Sequence, residues 1–134
     1  MRERPAPRMR SPLSGAIGLG SAKEGVGHWL AQRVTAVALV PLALWFVIAV
    51  IELTGADFDA MQDWVGRPLP AILLVLLLIA TFYHAALGLQ VVIEDYVHGE
   101  LTRLGLVILT RLVCIALAVA GIVAVLTLAL GAAD

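Results

Sequence analysis

Three stretches of this chain are almost free of charge, and its polar residues fall ahead of them and between them. Val34 to Ile51 contains no Asp, Glu, Lys, Arg or His. Extended back to Trp29 and forward to Leu53, it gives about 25 residues, enough for a tilted helix across a hydrocarbon core of ~30 Å. Leu69 to Ile93 is similar, with His84 its one histidine and no Asp, Glu, Lys or Arg. A third run extends from about Leu104 to Leu130 and closes at Gly131, with Arg111 near enough to its start to snorkel toward water. The pattern predicts an all-α integral membrane protein with three transmembrane helices, over residues 29–53, 69–95 and 104–130. Pro41 lies inside the first span, where neighbouring helices can re-satisfy the carbonyl it frees, and a local kink is expected.

The connections are short. Thr54 to Pro68 combines Gly55, Asp57, Asp59, Asp63, Gly66, Arg67 and Pro68 with Phe58 and Trp64, a composition suited to an interfacial loop with its aromatic rings in the headgroup layer. Glu94 to Arg103 is a second polar stretch. Residues 1–28 form an N-terminal cytoplasmic segment, and residues 29–134 form the membrane anchor. The first 20 residues, rich in Arg, Pro, Gly and Ser, are expected to be extended unless a partner holds them. A cleavable signal peptide is not expected, because the first long apolar run begins only at about residue 34.

Composition adds two constraints. With 61% hydrophobic and 14% charged residues over 134 positions, there is too little polar sequence to clothe a soluble domain. The net charge of −1 hides an asymmetry: six of the nine basic residues, Arg2, Arg4, Arg8, Arg10, Lys23 and Arg33, precede or open the first span. The first loop has only Arg67 against three aspartates. The positive-inside rule therefore predicts a cytoplasmic N-terminus and a periplasmic C-terminus. The single cysteine, Cys114, has no disulfide partner and is expected to pack between helices.

The chemistry centres on His84, near the middle of the second span. A neutral imidazole there needs a partner for its ring nitrogens, and two readings stand: a hydrogen bond to a neighbouring helix, or an axial ligand to haem iron. At ~100° per residue, Gly88 lies about 40° round the helix from His84 and Asp95 about 20° round, so the three share one stripe. Gly88 either lets a flat ring approach the backbone or serves helix packing. Glu94, Asp95 and Tyr96 end the span. A tyrosine beside a carboxylate at a membrane surface is either an aromatic anchor flanked by solvated acids or a pair able to bind and protonate a quinone. His28, Trp29 and Arg33 open the first span on the same side, where the Arg33 guanidinium can meet a lipid phosphate or a haem propionate. Gln32 and Thr35 add hydrogen-bonding capacity nearby.

The segment His84-Ala-Ala-Leu-Gly-Leu-Gln-Val-Val-Ile-Glu-Asp-Tyr-Val97 resembles the signature of the small hydrophobic membrane-anchor subunits of succinate dehydrogenase. In that family a histidine, a glycine four later and an Asp-Tyr pair eleven and twelve later occur on the second of three spans. Gly20 to Ala36, which includes His28 and Arg33, resembles the family's approach to its first span. The resemblance implies that His84 supplies one axial ligand to haem b, the second coming from a partner anchor subunit of cytochrome b type. It also implies that Tyr96 binds the headgroup of ubiquinone, that Asp95 assists its protonation, and that Arg33 and His28 lie near the propionates or the quinone pocket. Succinate oxidation is then assigned to a flavoprotein subunit and an iron–sulfur subunit, since this chain has neither a flavin fingerprint nor a cysteine cluster.

On this reading the chain is a non-autonomous part of an enzyme in the bacterial inner membrane. It passes electrons from succinate to quinone, links the tricarboxylic acid cycle to the respiratory chain, and contacts lipid but no nucleic acid. Other readings are the anchor of a quinol:fumarate reductase, a structural adaptor without haem, and a small transporter subunit. A transporter is expected to place ionisable groups along a mid-membrane path, where only His84 is found.

Overall fold

The structure, a computed structural model, describes residues 21–131. The segment expected to be extended, residues 1–20, lies outside the described residues. Among the described residues there are four helices and no strand: α1 (Ser21–Glu52), α2 (Phe58–Gly66), α3 (Pro68–Tyr96) and α4 (Glu100–Gly131). Three are long and apolar enough to cross a membrane, over Gly25–Glu52, Pro68–Tyr96 and Glu100–Gly131. The expected all-α architecture of three spans is the one observed.

Helix α1 begins at Ser21, so the division drawn between residues 28 and 29 runs through a continuous helix. It also continues through Pro41. Its end is made by Gly55, the one described residue with positive φ, at +85°. Only glycine adopts that left-handed conformation at no steric cost. Before it, Thr54 N–H donates to the Ile51 carbonyl, tightening the last turn.

The segment read from sequence as an interfacial loop contains a helix. Asp57 caps α2, its carboxylate accepting from the Ala60 N–H at 2.9 Å, and Asp59 in the first turn complements the helix dipole. Phe58, Met61 and Val65 recur at helical spacing. Val65 is buried, while the Trp64 ring stacks on Trp45 of α1 with centroids 5.8 Å apart. Helix α2 also packs on α3 and α4. Pro68 then starts α3, where its missing N–H is one the first turn would leave unpaired anyway.

The polar stretch Glu94 to Arg103 is shorter as a loop than its composition suggested. Only Val97, His98 and Gly99 lie outside helices. Arg103 N–H already donates to the Gly99 carbonyl, so Glu100 to Arg103 form the first turn of α4 rather than part of a connection.

Helix α3 is central. It packs against α1 on one side and α4 on the other, whereas α1 and α4 do not meet among the described residues. Burial is correspondingly sparse: Ala49, Val65, Leu87 and Cys114 are the buried apolar residues described. Cys114 occupies the packing position expected of it. Large aliphatic side chains are exposed along all three long helices, an arrangement that water would penalise at ~25 cal/mol per Å². In lipid that penalty vanishes, and helix association relies on packing and interhelical hydrogen bonds. Small residues provide close approach: a Cβ on Gly121 of α4 would fall 3.0 Å from a methyl of Leu78 on α3.

Candidate functional site at the α1–α3 crossing

Helices α1 and α3 run antiparallel, bringing the first half of α1 against the second half of α3. Thr35 and His84 meet at this crossing, with Oγ1 of the threonine 2.9 Å from Nδ1 of the imidazole. The same hydroxyl lies 2.8 Å from the Ala31 carbonyl and 3.1 Å from that of Gln32, the i−4 and i−3 positions of its own helix. Both side chains are half-buried. One turn nearer the α3 C-terminus, Gly88 faces Gln32: a Cβ built on Gly88 would lie 3.5 Å from Gln32 Nε2, in ordinary contact. The crossing thus has space for a methyl group at Gly88 but not for a large side chain, and leaves room beside it.

That room is part of an open cavity of about 950 Å³. It lies over α3 and is bounded by Gly25, His28, Trp29 and Gln32 of α1 and by Arg111 of α4, with Gly88, Gln90, Val91 and Glu94 as its floor. Two buried polar atoms at this lining have no hydrogen-bond partner, His28 Nε2 and Gln32 Oε1. Buried polar atoms are rarely left unpaired. The far wall is ordered by a relay: Arg111 donates to Gln90 Oε1 at 2.6 Å, and Gln90 Nε2 donates to Glu94 at 2.7 Å. The guanidinium and the carboxylate are thus held at fixed positions by one amide spanning α3 and α4.

The residues singled out from sequence are distributed unevenly around this cavity. His84 and Gly88 belong to the crossing, and His28 lines the cavity. Arg33 is exposed and absent from the lining, its guanidinium instead 5.5 Å from the centroid of the Trp29 ring in a cation–π contact. Asp95 and Tyr96 are exposed at the end of α3, Tyr96 at 78%, and neither contributes to the lining. Glu94, their neighbour, does.

Four contributors were not placed in a site from sequence: Gln32 and Thr35, read only as hydrogen-bonding capacity nearby, Gln90, and Arg111, read as snorkelling toward water but found donating to Gln90. For the first two a signal existed, because His28, Gln32 and Thr35 recur at i, i+4 and i+7 and so share one face of α1. For Gln90 and Arg111, only the packing of α3 on α4 reveals the pairing.

The donors present fit a haem-binding role. His84 has one nitrogen engaged by Thr35, and no hydrogen bond from the described residues reaches its Nε2. Among the described residues no three His, Cys, Asp or Glu side chains gather into a self-contained metal site. An iron held at His84 would therefore take its other protein ligand from elsewhere.

Comparison with known proteins agrees with this architecture. The family model described as "Succinate dehydrogenase/Fumarate reductase transmembrane subunit" matches residues 7–125. A succinate dehydrogenase hydrophobic membrane anchor subunit of Rickettsia bellii is 40% identical over 116 residues, covering 87% of this chain and 93% of the relative. One from Paracoccus denitrificans is 35% identical over 125 residues, covering 93% and 96%. A succinate dehydrogenase membrane anchor subunit from Reclinomonas americana is 32% identical over 96 residues, covering 69% and 80%. No solved structure matches. With three apolar spans of the expected number and order, and with a family model and relatives that match over most of the chain, this chain belongs to the family of succinate dehydrogenase/fumarate reductase transmembrane subunits.

Proposed function

We propose that this chain anchors a succinate:quinone oxidoreductase in the bacterial inner membrane, helps to hold haem b, and contributes to the ubiquinone site. The observation that carries the proposal is the crossing of α1 and α3. A single intramembrane histidine meets Thr35 there through one nitrogen and accepts no hydrogen bond from the described residues at the other, one turn from Gly88 on the lining of an open cavity.

The chain's dimensions support a location for each part. Taking α2 as the marker of one membrane surface, a core of ~30 Å consumes about 20 helical residues. Counting from Pro68 along α3 reaches Gly88, and counting back from Gly131 along α4 reaches Arg111. The Gln90–Arg111 pair then lies at the opposite edge of the hydrocarbon, with Glu94, Asp95 and Tyr96 in the headgroup layer beyond it. His84 is about one turn inside. The basic residues before α1 support a cytoplasmic location for that edge and a periplasmic C-terminus.

His84 would hold the haem iron, with a second protein ligand from another hydrophobic subunit, and His28 would offer a hydrogen bond to a propionate or a quinone oxygen. When bound, the haem supplies a one-electron carrier inside the membrane. The residues of this chain act on the protons. Quinone reduction consumes two electrons and two protons, so the site needs donors that water can recharge. The Tyr96 hydroxyl, exposed and without a partner among the described residues, donates to a quinone carbonyl and fixes the headgroup at the interface. The Asp95 carboxyl beside it passes a proton inward and is reprotonated from the cytoplasm. Arg33, at the same end of α1, supplies a cation for a propionate or lipid phosphate at the rim.

Exposed apolar side chains along all three long helices and an open cavity suit a second hydrophobic subunit. Electrons would come from an iron–sulfur subunit and a flavoprotein subunit, both bound at the cytoplasmic face. The direct test is purification in mild detergent through a tag on this chain. Co-purification of three partners with succinate-dependent reduction of a ubiquinone analogue is the expected result. A chain that purifies alone, or one whose deletion leaves that activity in membranes intact, would contradict the proposal.

A further inference from the structure

We infer that Thr35 is the positioning residue for His84: it accepts a hydrogen bond from Nδ1–H, and so fixes the tautomer that leaves the Nε2 lone pair free for a metal. The inference rests on the haem reading above and assigns to α1 a part in it. Three polar atoms surround Thr35 Oγ1 within 3.1 Å: the carbonyl oxygens of Ala31 and Gln32, and Nδ1 of His84. The carbonyls can only accept, and the hydroxyl has a single proton. If that proton went to Nδ1, the 2.8 Å approach of Oγ1 to the Ala31 oxygen would hold no hydrogen and would be repulsive. If it goes to Ala31, Oγ1 presents a lone pair to Nδ1, and the 2.9 Å contact becomes a hydrogen bond with the imidazole donating. The second arrangement makes two bonds where the first makes one. It runs in one direction, from His84 Nδ1–H to Thr35 Oγ1–H to the Ala31 carbonyl.

Two consequences follow for the ring. It is oriented by an atom close to a helix backbone, so its freedom to rotate about Cβ–Cγ is small. Donation from Nδ1–H also increases electron density on the imidazole, which makes Nε2 a better σ-donor and favours ferric over ferrous iron. A hydroxyl that itself donates to a carbonyl is a better acceptor than an isolated one, since hydrogen bonds in a chain polarise one another. Valine, with the shape of threonine but no oxygen, removes this effect while preserving packing at the crossing.

The experiment compares wild type, Thr35→Val, Thr35→Ser and His84→Ala in the assembled, detergent-purified complex. It measures haem content, the haem midpoint potential and the ferric low-spin electron paramagnetic resonance spectrum. His84→Ala tests the underlying reading and is expected to lose the haem. Thr35→Val is expected to raise the midpoint potential and shift the resonance positions, and Thr35→Ser to return both to wild-type values. If Thr35→Val instead loses haem and Thr35→Ser restores it, the hydroxyl is still the element that holds the ligand, and the inference stands. It is overturned if Thr35→Val matches wild type in potential and resonance, or if Thr35→Ser behaves as Thr35→Val does, while His84→Ala has lost its haem. Haem retained in His84→Ala with an unchanged spectrum, or absent from wild type, overturns the haem reading and this inference together.

Discussion

The relay from Arg111 through Gln90 to Glu94 gives a quantitative prediction. Its bonds of 2.6 and 2.7 Å are short, and both involve an ionised group, which in proteins raises a hydrogen bond to about 1.5–3 kcal/mol. Two effects reduce that figure. Arg111 is exposed and about 16 Å along α4 from Glu100, close enough to the membrane edge to snorkel when its partner is lost. Interhelical polar pairs in membrane proteins also average only ~0.6 kcal/mol in double-mutant cycles, with a maximum of ~1.7. The Gln90–Arg111 coupling is therefore expected at about 1 kcal/mol. Gln90→Leu, Arg111→Met and the double substitution, unfolded by titration of the complex with sodium dodecyl sulfate in mixed micelles, complete the cycle. Each single change should destabilise, and the double should cost about 1 kcal/mol less than their sum. Additivity within ~0.3 kcal/mol would refute the claim that this amide links α3 to α4.

Three further outcomes are expected. Gly88→Ala should be tolerated, since its Cβ meets Gln32 Nε2 at an ordinary 3.5 Å, whereas Gly88→Leu should spread α1 from α3 and reduce haem content; equal haem content in the two variants would contradict that geometry. Asp57→Ala should destabilise α2 by about 1 kcal/mol and speed hydrogen exchange at the Ala60 amide roughly fivefold, while Asp57→Ser should largely preserve protection; unchanged exchange in Asp57→Ala would remove the cap from the account. Tyr96→Phe should leave complex stability within ~0.5 kcal/mol, because its hydroxyl is exposed and unpaired, yet lower succinate-dependent quinone reduction by at least ~10-fold; unimpaired reduction would take Tyr96 out of the quinone chemistry.

The elements that were legible in the sequence are those whose signal is strong along one helix. Runs of about 25 mostly apolar residues, with charges near their ends, are long enough to cross the hydrocarbon core, and all three recur in the structure. Helix α2 was obscured because Asp57, Asp59 and Asp63 read as loop residues. Its cap at Asp57 and the apolar recurrence of Phe58, Met61 and Val65 were nevertheless present. The ends of α1 and α4 extend past the apolar runs, since a helix does not stop where the hydrocarbon does: Glu100 to Arg103 and Ser21 to His28 are mostly polar or small and still helical. Within the site, the stripe of His84 and Gly88 followed from the 3.6-residue period. The partner of His84 did not, because periodicity specifies which face a residue occupies but not the register of one helix against another. The contact with Thr35 and the pairing of Gln90 with Arg111 both depend on that register. It also brings Glu94 rather than Asp95 to the cavity floor.

The role of His84 as a haem ligand is tested most directly by the dithionite-reduced minus oxidised spectrum of the purified complex. Wild type and His84→Ala are compared after confirming that the same subunits co-purify. A b-type signal in wild type, lost or displaced in the assembled His84→Ala complex, is the predicted result. An unchanged signal in that complex, or no haem in wild type, would contradict the central claim and leave the histidine as a hydrogen-bonded packing residue at the crossing of α1 and α3.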